Sequence, residues 1–128
     1  MAKQLKVRTT LSSSTAITTD ALNSGLSATV SIDNPIVQAG EVTLNITPTA
    51  ETLVAAGKTP ATYMYIKNMS SSDYISVRTK SASLEFIRLK AGEHAWFTLA
   101  PSIGCEVINS ATAKTSTKVI YGTFDEKV

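Results

Sequence analysis

The stretch Leu26-Ser-Ala-Thr-Val-Ser-Ile-Asp33 decides the fold class of this chain. Its apolar residues alternate one for one with Ser, Thr and Asp. Successive side chains of a strand point to opposite faces of a sheet, so this period of two predicts a strand with one apolar face. The segment Glu41–Thr47 repeats the pattern, and Asn34–Pro35 between the two segments predicts a turn. We therefore expect two successive strands here.

Two pairs of β-branched and aromatic runs predict hairpins. Thr62–Lys67 and Tyr74–Arg78 flank a polar loop of hairpin length. Leu84–Lys90 and His94–Leu99 flank a turn that contains Gly92. A glycine at that place can supply the positive φ that a tight connection requires.

The chain as a whole is predicted to be all-β. Further runs towards the C terminus, and one at Gln4–Thr10, have the short spacing of an antiparallel β-sandwich, jelly-roll-like or immunoglobulin-like, with about seven to eight strands. The length is that of one domain, so we expect a single sandwich over residues 1–128. Only Ala50–Gly57 has helical signals. Ser12–Ser24 predicts a long surface loop, or a segment that orders against a partner.

The composition excludes several classes of protein. Charged residues make up only 17% of the chain, while 15 Ser and 18 Thr are present, which argues against a coiled coil and against a charged disordered tail. No apolar run approaches the roughly 20 residues that cross a bilayer, so no membrane partner is expected. The formal net charge of +2 is too small to indicate nucleic acid as a specific partner.

The N-terminus carries a short basic cluster. Lys3, Lys6 and Arg8 precede the first carboxylate of the chain, Asp20. Residues 1–24 are therefore predicted to contain an N-terminal arm. The cluster has two main interpretations: a solvated end, or an arm that lies on an acidic neighbouring subunit.

The residues that usually carry catalysis are sparse and separated. His94 and Cys105 are the only histidine and cysteine, so neither a soft metal site nor an internal disulfide is expected. Period two places His94 on the Trp96 face of its strand, and Cys105 on the face of Val107. The carboxylates form no close cluster in the sequence. We predict a chain that is not an enzyme and has no cofactor, and activity sensitive to His94→Ala or Cys105→Ala would contradict this.

The aromatic side chains suggest an interface. Tyr63 and Tyr65 share one face of their strand, while Met64 and Ile66 share the other, so both faces are apolar or amphipathic. Trp96 likewise faces away from the apolar side of its strand. Tyr and Trp combine a large area with a polar group and suit interfaces, although ordinary core packing is the alternative.

Four segments in the second half of the chain share a pattern of strands and turns that has no catalytic signature. They are Thr62-Tyr-Met-Tyr-Ile-Lys-Asn68, Asp73-Tyr-Ile-Ser-Val77, Leu89-Lys-Ala-Gly-Glu-His-Ala-Trp-Phe-Thr-Leu99 and Val119-Ile-Tyr-Gly-Thr-Phe124. On these segments, about residues 60 to 124 resemble small accessory virion proteins of tailed bacteriophages.

This resemblance implies a non-enzymatic capsid cement or decoration protein, made in the host cytoplasm and assembled on the capsid surface. Its partners would be the major capsid protein or other virion proteins, and further copies of itself in a homo-oligomer. The candidate interface residues are Lys3, Lys6, Arg8, Tyr63, Tyr65, Tyr74 and Trp96. Two alternatives stay open, because fold does not fix function. One is a head–tail connector, neck or tail accessory protein, and the other is a module that binds carbohydrate or a host surface.

Overall fold

A computed structural model describes the backbone of residues 3–16, 21–47 and 49–127, and within these ranges every side chain except those of residues 3, 12–16, 21–24 and 33–39. Every regular secondary-structure element in this part of the chain is a β-strand, which confirms the all-β prediction. The nine strands outnumber the seven to eight expected. They are β1 (Lys3–Ala16), β2 (Ala21–Leu44), β3 (Glu51–Val54), β4 (Thr62–Asn68), β5 (Ile75–Thr79), β6 (Glu85–Leu89), β7 (His94–Leu99), β8 (Cys105–Asn109) and β9 (Thr117–Glu126).

The strands form two antiparallel sheets. Sheet A has the order β1-β2-β9-β4-β7, and sheet B has the order β3-β8-β5-β6. Within the sheets β2 pairs with β9, β3 with β8, β4 with β7 and β5 with β6. These pairs are nested around the β5–β6 turn, as in one long hairpin that has been folded over into two sheets. This nesting is the strand order of a jelly roll, to which β1 adds one further strand.

The core lies between the two sheets. In β4, Met64 and Ile66 are fully buried. On the other face, Tyr63 is half-buried and Tyr65 is exposed. Period two in the sequence therefore separated the core face from the outer face correctly. Each large apolar side chain buried in this way contributes about 1.5–3 kcal/mol. Other members of the same buried cluster are Leu44, Leu53, Val54, Ile75, Val77, Leu89, Leu99, Cys105, Val107 and Val119.

Both predicted hairpins are wrong. The strands at Thr62–Asn68 and Ile75–Thr79 are consecutive, but they lie in sheets A and B respectively, and the same holds for the strands before and after Gly92. The two connections therefore cross from one sheet to the other. Gly92 does have the predicted positive φ, 78°. The local hairpin in this half of the chain is β5–β6, and Ser83 in its turn has a φ of 53°.

Three other local predictions also fail. Ala50–Gly57 contains β3 instead of a helical turn, because pairing with β8 and the burial of Leu53 and Val54 outweigh weak local helix signals. The predicted turn at Asn34–Pro35 lies inside the continuous strand β2. The Ser12–Ser24 region is strand up to Ala16 and again from Ala21, while residues 17–20 lie outside the described residues.

Two buried asparagines hold the loops at one end of the sandwich. The Asn68 amide nitrogen donates hydrogen bonds to the carbonyls of Asp73 (2.8 Å) and Leu89 (3.0 Å), and its oxygen accepts one from the Ser70 amide (2.9 Å). Asn109 acts in the same way and donates to two backbone carbonyls at 3.2 and 3.3 Å. Each asparagine thus supplies partners for backbone groups in the loops, and the Leu89 carbonyl bonded by Asn68 is buried.

Candidate interaction surface

The first two strands form a hairpin that leaves the end of sheet A. Lys3 pairs with Ile32, and Ile32 also pairs with Glu126 at the end of β9. Residues 21–31 therefore pair with β1 alone. At about 3.3 Å per residue, this part is about 35 Å long. We call residues 3–16 and 21–32 the arm hairpin.

The arm hairpin has one apolar and one polar face, as its cross-strand register shows. Leu5 is opposite Val30, and Val7 is opposite Ala28, so these side chains share a face with Ile32. The other face is polar, basic and exposed throughout its described side chains. Its members are Gln4, Lys6, Arg8, Thr10, Ser27, Thr29 and Ser31.

The apolar face is buried at the base of the hairpin and exposed in its outer half. Ile32 at the base is only 6% exposed, and Val7 and Val30 are half-buried. Further out, Leu26 is 59% exposed and Leu11 is 48% exposed. The outer half of the arm hairpin therefore presents Leu11 and Leu26 as exposed apolar side chains among the described residues.

The outer face of sheet A carries a cluster of aromatic rings. Tyr63 and Trp96 are stacked, with ring centroids 6.4 Å apart and planes 6° apart. Phe124, which pairs with Tyr63 across β4 and β9, lies 6.3 Å from the Trp96 ring. Tyr65 is on the same face of β4 and is 37% exposed. We call these four residues the aromatic face.

A glycine positions Tyr65. Gly122 is directly opposite Tyr65 on β9, and a Cβ at residue 122 would lie 2.7 Å from the Tyr65 Cζ atom. The tyrosine ring therefore occupies the space that a side chain at residue 122 would fill. Aromatic rings cover strand glycines in this way and restore packing that glycine cannot provide. Tyr121 is placed similarly against Gly40 on β2, with its hydroxyl 3.2 Å from a Cβ built there.

The apolar face of the arm hairpin lies opposite the start of β7, next to Trp96 of the aromatic face. Between them is a cleft of about 550 Å³. One of its walls includes Val7, Leu11, Leu26 and Ala28, and the other is formed by residues of β7. The β7 residues include His94, which is exposed, and Trp96, which is half-buried. The two apolar surfaces thus approach each other but do not close.

The structure brings together some of the candidate interface residues and separates others. Lys6 and Arg8 share the exposed face of the arm hairpin, whereas Lys3 stands at its base and has a side chain outside the described ones. Tyr63, Tyr65 and Trp96 share the aromatic face. Sequence reasoning missed Phe124, which joins this face only through the pairing of β4 with β9, and it missed the leucines of the arm hairpin.

Tyr74 does not belong to this surface. It precedes β5 in sheet B, and the Arg88 guanidinium lies over its ring at 4.3 Å from the centroid. Arg88 also donates to Glu85 at 2.8 Å, and this hydrogen bond, helped by one from Ser76, lowers the pKa of the Glu85 carboxyl. These contacts tie Tyr74 into a polar network on sheet B.

Glu106 is a buried carboxylate with a structural role. It is 3% exposed and forms ion pairs with Arg78 at 2.9 Å and Lys80 at 3.7 Å, while Ser83 donates to it at 3.1 Å. A buried charge needs such partners to offset the loss of hydration. The network closes the β5–β6 turn over sheet B.

The two candidate nucleophilic or basic residues lie in different sheets. His94 begins β7 in sheet A, and Cys105 begins β8 in sheet B and is fully buried. Burial raises the pKa of the Cys105 thiol to about 12, and the Glu106 carboxylate adds to this shift. A thiol with so high a pKa holds its proton at neutral pH and is a poor nucleophile.

Within residues 3–16, 21–47 and 49–127, no group of three or more His, Cys, Asp or Glu side chains is placed to hold a metal ion. The same part of the chain contains no helix that could span a membrane. A comparison with protein-family models and with curated proteins finds no match to this chain, so the function has to be argued from the arm hairpin and the aromatic face.

Proposed function

We propose that this chain is a non-enzymatic cement protein on the capsid of a tailed bacteriophage, where it stabilises the shell through contacts between subunits. The resemblance of residues 60–124 to accessory virion proteins supports this proposal, and so does the jelly roll, a fold that is common in viral capsid proteins. Fold alone does not fix function, so the proposal depends on the surface that the fold carries.

The observation that carries the proposal is the exposed basic face of the arm hairpin. Lys6 and Arg8 stand side by side on this face, opposite Ser27 and Thr29, and both are exposed. The residues of the arm hairpin include no carboxylate to neutralise them. A paired ribbon holds these charges in one orientation, which suits contact with an acidic patch on a neighbouring subunit.

In this role the sandwich acts as a rigid support and the arm hairpin as the connecting element. Each contact is weak, because two exposed cations contribute little alone. A shell repeats the contact many times, and binding that favours the assembled state stabilises that state by mass action. No chemical step is required.

The test is the copy number of the chain in purified particles of a phage that encodes it. Quantitative mass spectrometry should give a ratio to the main shell protein near one, or a simple fraction of one. A handful of copies would instead favour the connector, neck or tail alternative. Absence from the particles would overturn the virion assignment.

Charge-reversal variants test the basic face directly. Purified Lys6→Glu and Arg8→Glu chains should bind particles that lack the protein more weakly than the wild type does, and the difference should shrink with added salt. Lys114→Glu is the matched control, because Lys114 is exposed on the turn before β9. Equal binding by all three variants would show that the basic face is not the contact.

The aromatic face favours one second candidate, a module that binds carbohydrate. Tyr65 is 37% exposed with its ring held against Gly122, so one side of the ring is open to a ligand. This candidate predicts that the isolated chain binds glycans and that Tyr65→Ala or Trp96→Ala abolishes the binding. A glycan array with the wild-type chain separates it from the cement protein.

A further inference from the structure

The arm hairpin fits its own sandwich incompletely. Its apolar face and the start of β7, including Trp96, line a cleft of about 550 Å³. The cleft is an open groove, so the apolar side chains that line it stay in contact with solvent. In addition, Leu11 and Leu26 are 48% and 59% exposed although they belong to the apolar face.

The arm hairpin is joined to the sandwich through an irregular stretch of β2. The pairing of β2 with β9 changes register between Ile32 and Val37, in a stretch that contains Pro35, a residue without a backbone N–H. The base of the hairpin is held by the Ile32–Glu126 pairing and by a hydrogen bond of 3.0 Å from the Lys127 amide to the Ser31 carbonyl.

We infer that the arm hairpin is exchanged between copies of this chain, so that the hairpin of one copy packs against the start of β7 and Trp96 of a second copy. These two surfaces line one cleft within a single chain, so each copy offers the site that the other copy's hairpin requires. A hairpin from a second copy would fill the cleft and cover the exposed Leu11 and Leu26. Exchange of an identical element is a low-cost route to an oligomer.

The two faces of the arm hairpin then have separate tasks. The apolar face binds a second copy, while Lys6 and Arg8 stay on the outside, because they point away from Val7 and Ala28. An acidic partner would use that outer face. The exchange depends on the arm hairpin and the start of β7 alone, so it can be tested on the purified chain even if the virion assignment fails.

Cross-linking between two different chains tests the exchange. One chain carries Ala28→Cys on the arm hairpin and the other, labelled with a heavy isotope, carries His94→Cys on β7; both positions are exposed and line the cleft. The chains are mixed, unfolded in urea, refolded together and treated with a short bis-maleimide reagent. The wild-type chain is the control for reaction of the native thiol. Cys105 is buried, so the wild type should give no cross-linked product. Ser81→Cys, exposed on the turn of sheet B, replaces His94→Cys as the control for chance collisions.

We expect a covalent product that contains one light and one heavy chain. Thiols held in one assembly react at effective concentrations near millimolar, so this product should exceed that of the Ser81→Cys control by at least about tenfold. Light scattering should also show a mass above that of the 13.6 kDa monomer, rising with concentration. A third chain carries both Ala28→Cys and His94→Cys. If cross-links form only within this chain, and the mass stays that of a monomer at every concentration, the inference is overturned.

Discussion

Replacing Asn68 with alanine should lower the free energy of unfolding by about 2–3 kcal/mol. The Leu89 carbonyl, which accepts from Asn68 at 3.0 Å, is buried and would lose a partner, and an unpaired buried polar group costs about 1–3 kcal/mol. The Asp73 carbonyl and the Ser70 amide are only partly buried. Water can replace the lost partner there, so each should add at most about 0.5–1 kcal/mol.

The assay is equilibrium unfolding in urea, followed by the fluorescence of Trp96, the only tryptophan. For a chain of this size the expected loss moves the midpoint down by about 1–2 M. Asn45→Ala is the matched control: Asn45 is exposed, so the same substitution should change stability by no more than about 0.5 kcal/mol. Asn68→Asp keeps the shape but turns an acceptor towards two carbonyl oxygens, and it should cost at least as much as alanine. A loss below about 1 kcal/mol for Asn68→Ala, or equal losses at residues 45 and 68, would refute the reasoning.

The remaining predictions concern two glycines, a thiol and an ion pair. Gly104→Ala should destabilise the fold much more than Gly92→Ala in the same assay: both glycines have positive φ, 66° and 78°, but only at residue 104 would a Cβ meet backbone, 2.7 Å from the Ala56 nitrogen. At residue 92 the strain of about 1–2 kcal/mol applies alone, and similar losses would contradict the argument. Cys105 should react with iodoacetamide at pH 8 no faster than the chain unfolds, because burial raises the pKa of the thiol to about 12. Folding thus favours the protonated thiol, so the wild type should lose stability relative to Cys105→Ala as the pH rises above 9.0. A stability difference between the two chains that stays constant up to pH 12 would argue against a raised pKa. Glu85→Gln should cost a little stability at pH 7, and this difference should shrink as the pH falls below 4.5, since Arg88 lowers the pKa of the carboxyl and its contribution is lost on protonation. Urea midpoints at several pH values measure both dependences.

The sequence predicts the strands and their faces well because period two is a local property. In β4, alternation alone separates buried Met64 and Ile66 from the outer tyrosines. The same alternation says nothing about which strand is the partner. The polar loop after Asn68 is long enough either to turn back within one sheet or to cross to the other, and the structure takes the crossing.

The arm hairpin and the full aromatic face are harder to predict for a related reason. Thr9 and Ser24 interrupt the apolar face of the hairpin, and the Ser12–Ser24 region has the composition of a loop although all of its described backbone is strand. Phe124 is far from Trp96 in the sequence and meets it because β9 pairs with β4. Long-range pairing of this kind depends on the whole fold and leaves no local signal.

The central position of β9 sets the order in which the molecule can be built. Thr117–Glu126 is the last described strand, yet it lies in the middle of sheet A between β2 and β4. During synthesis, β2 and β4 therefore emerge before β9 and must wait with unpaired edges until residues 117–126 have left the ribosome. Exposed edges of that kind attract other strands, so nascent chains are the form most prone to aggregation. A chain cut before residue 117 would leave sheet A as two unconnected halves.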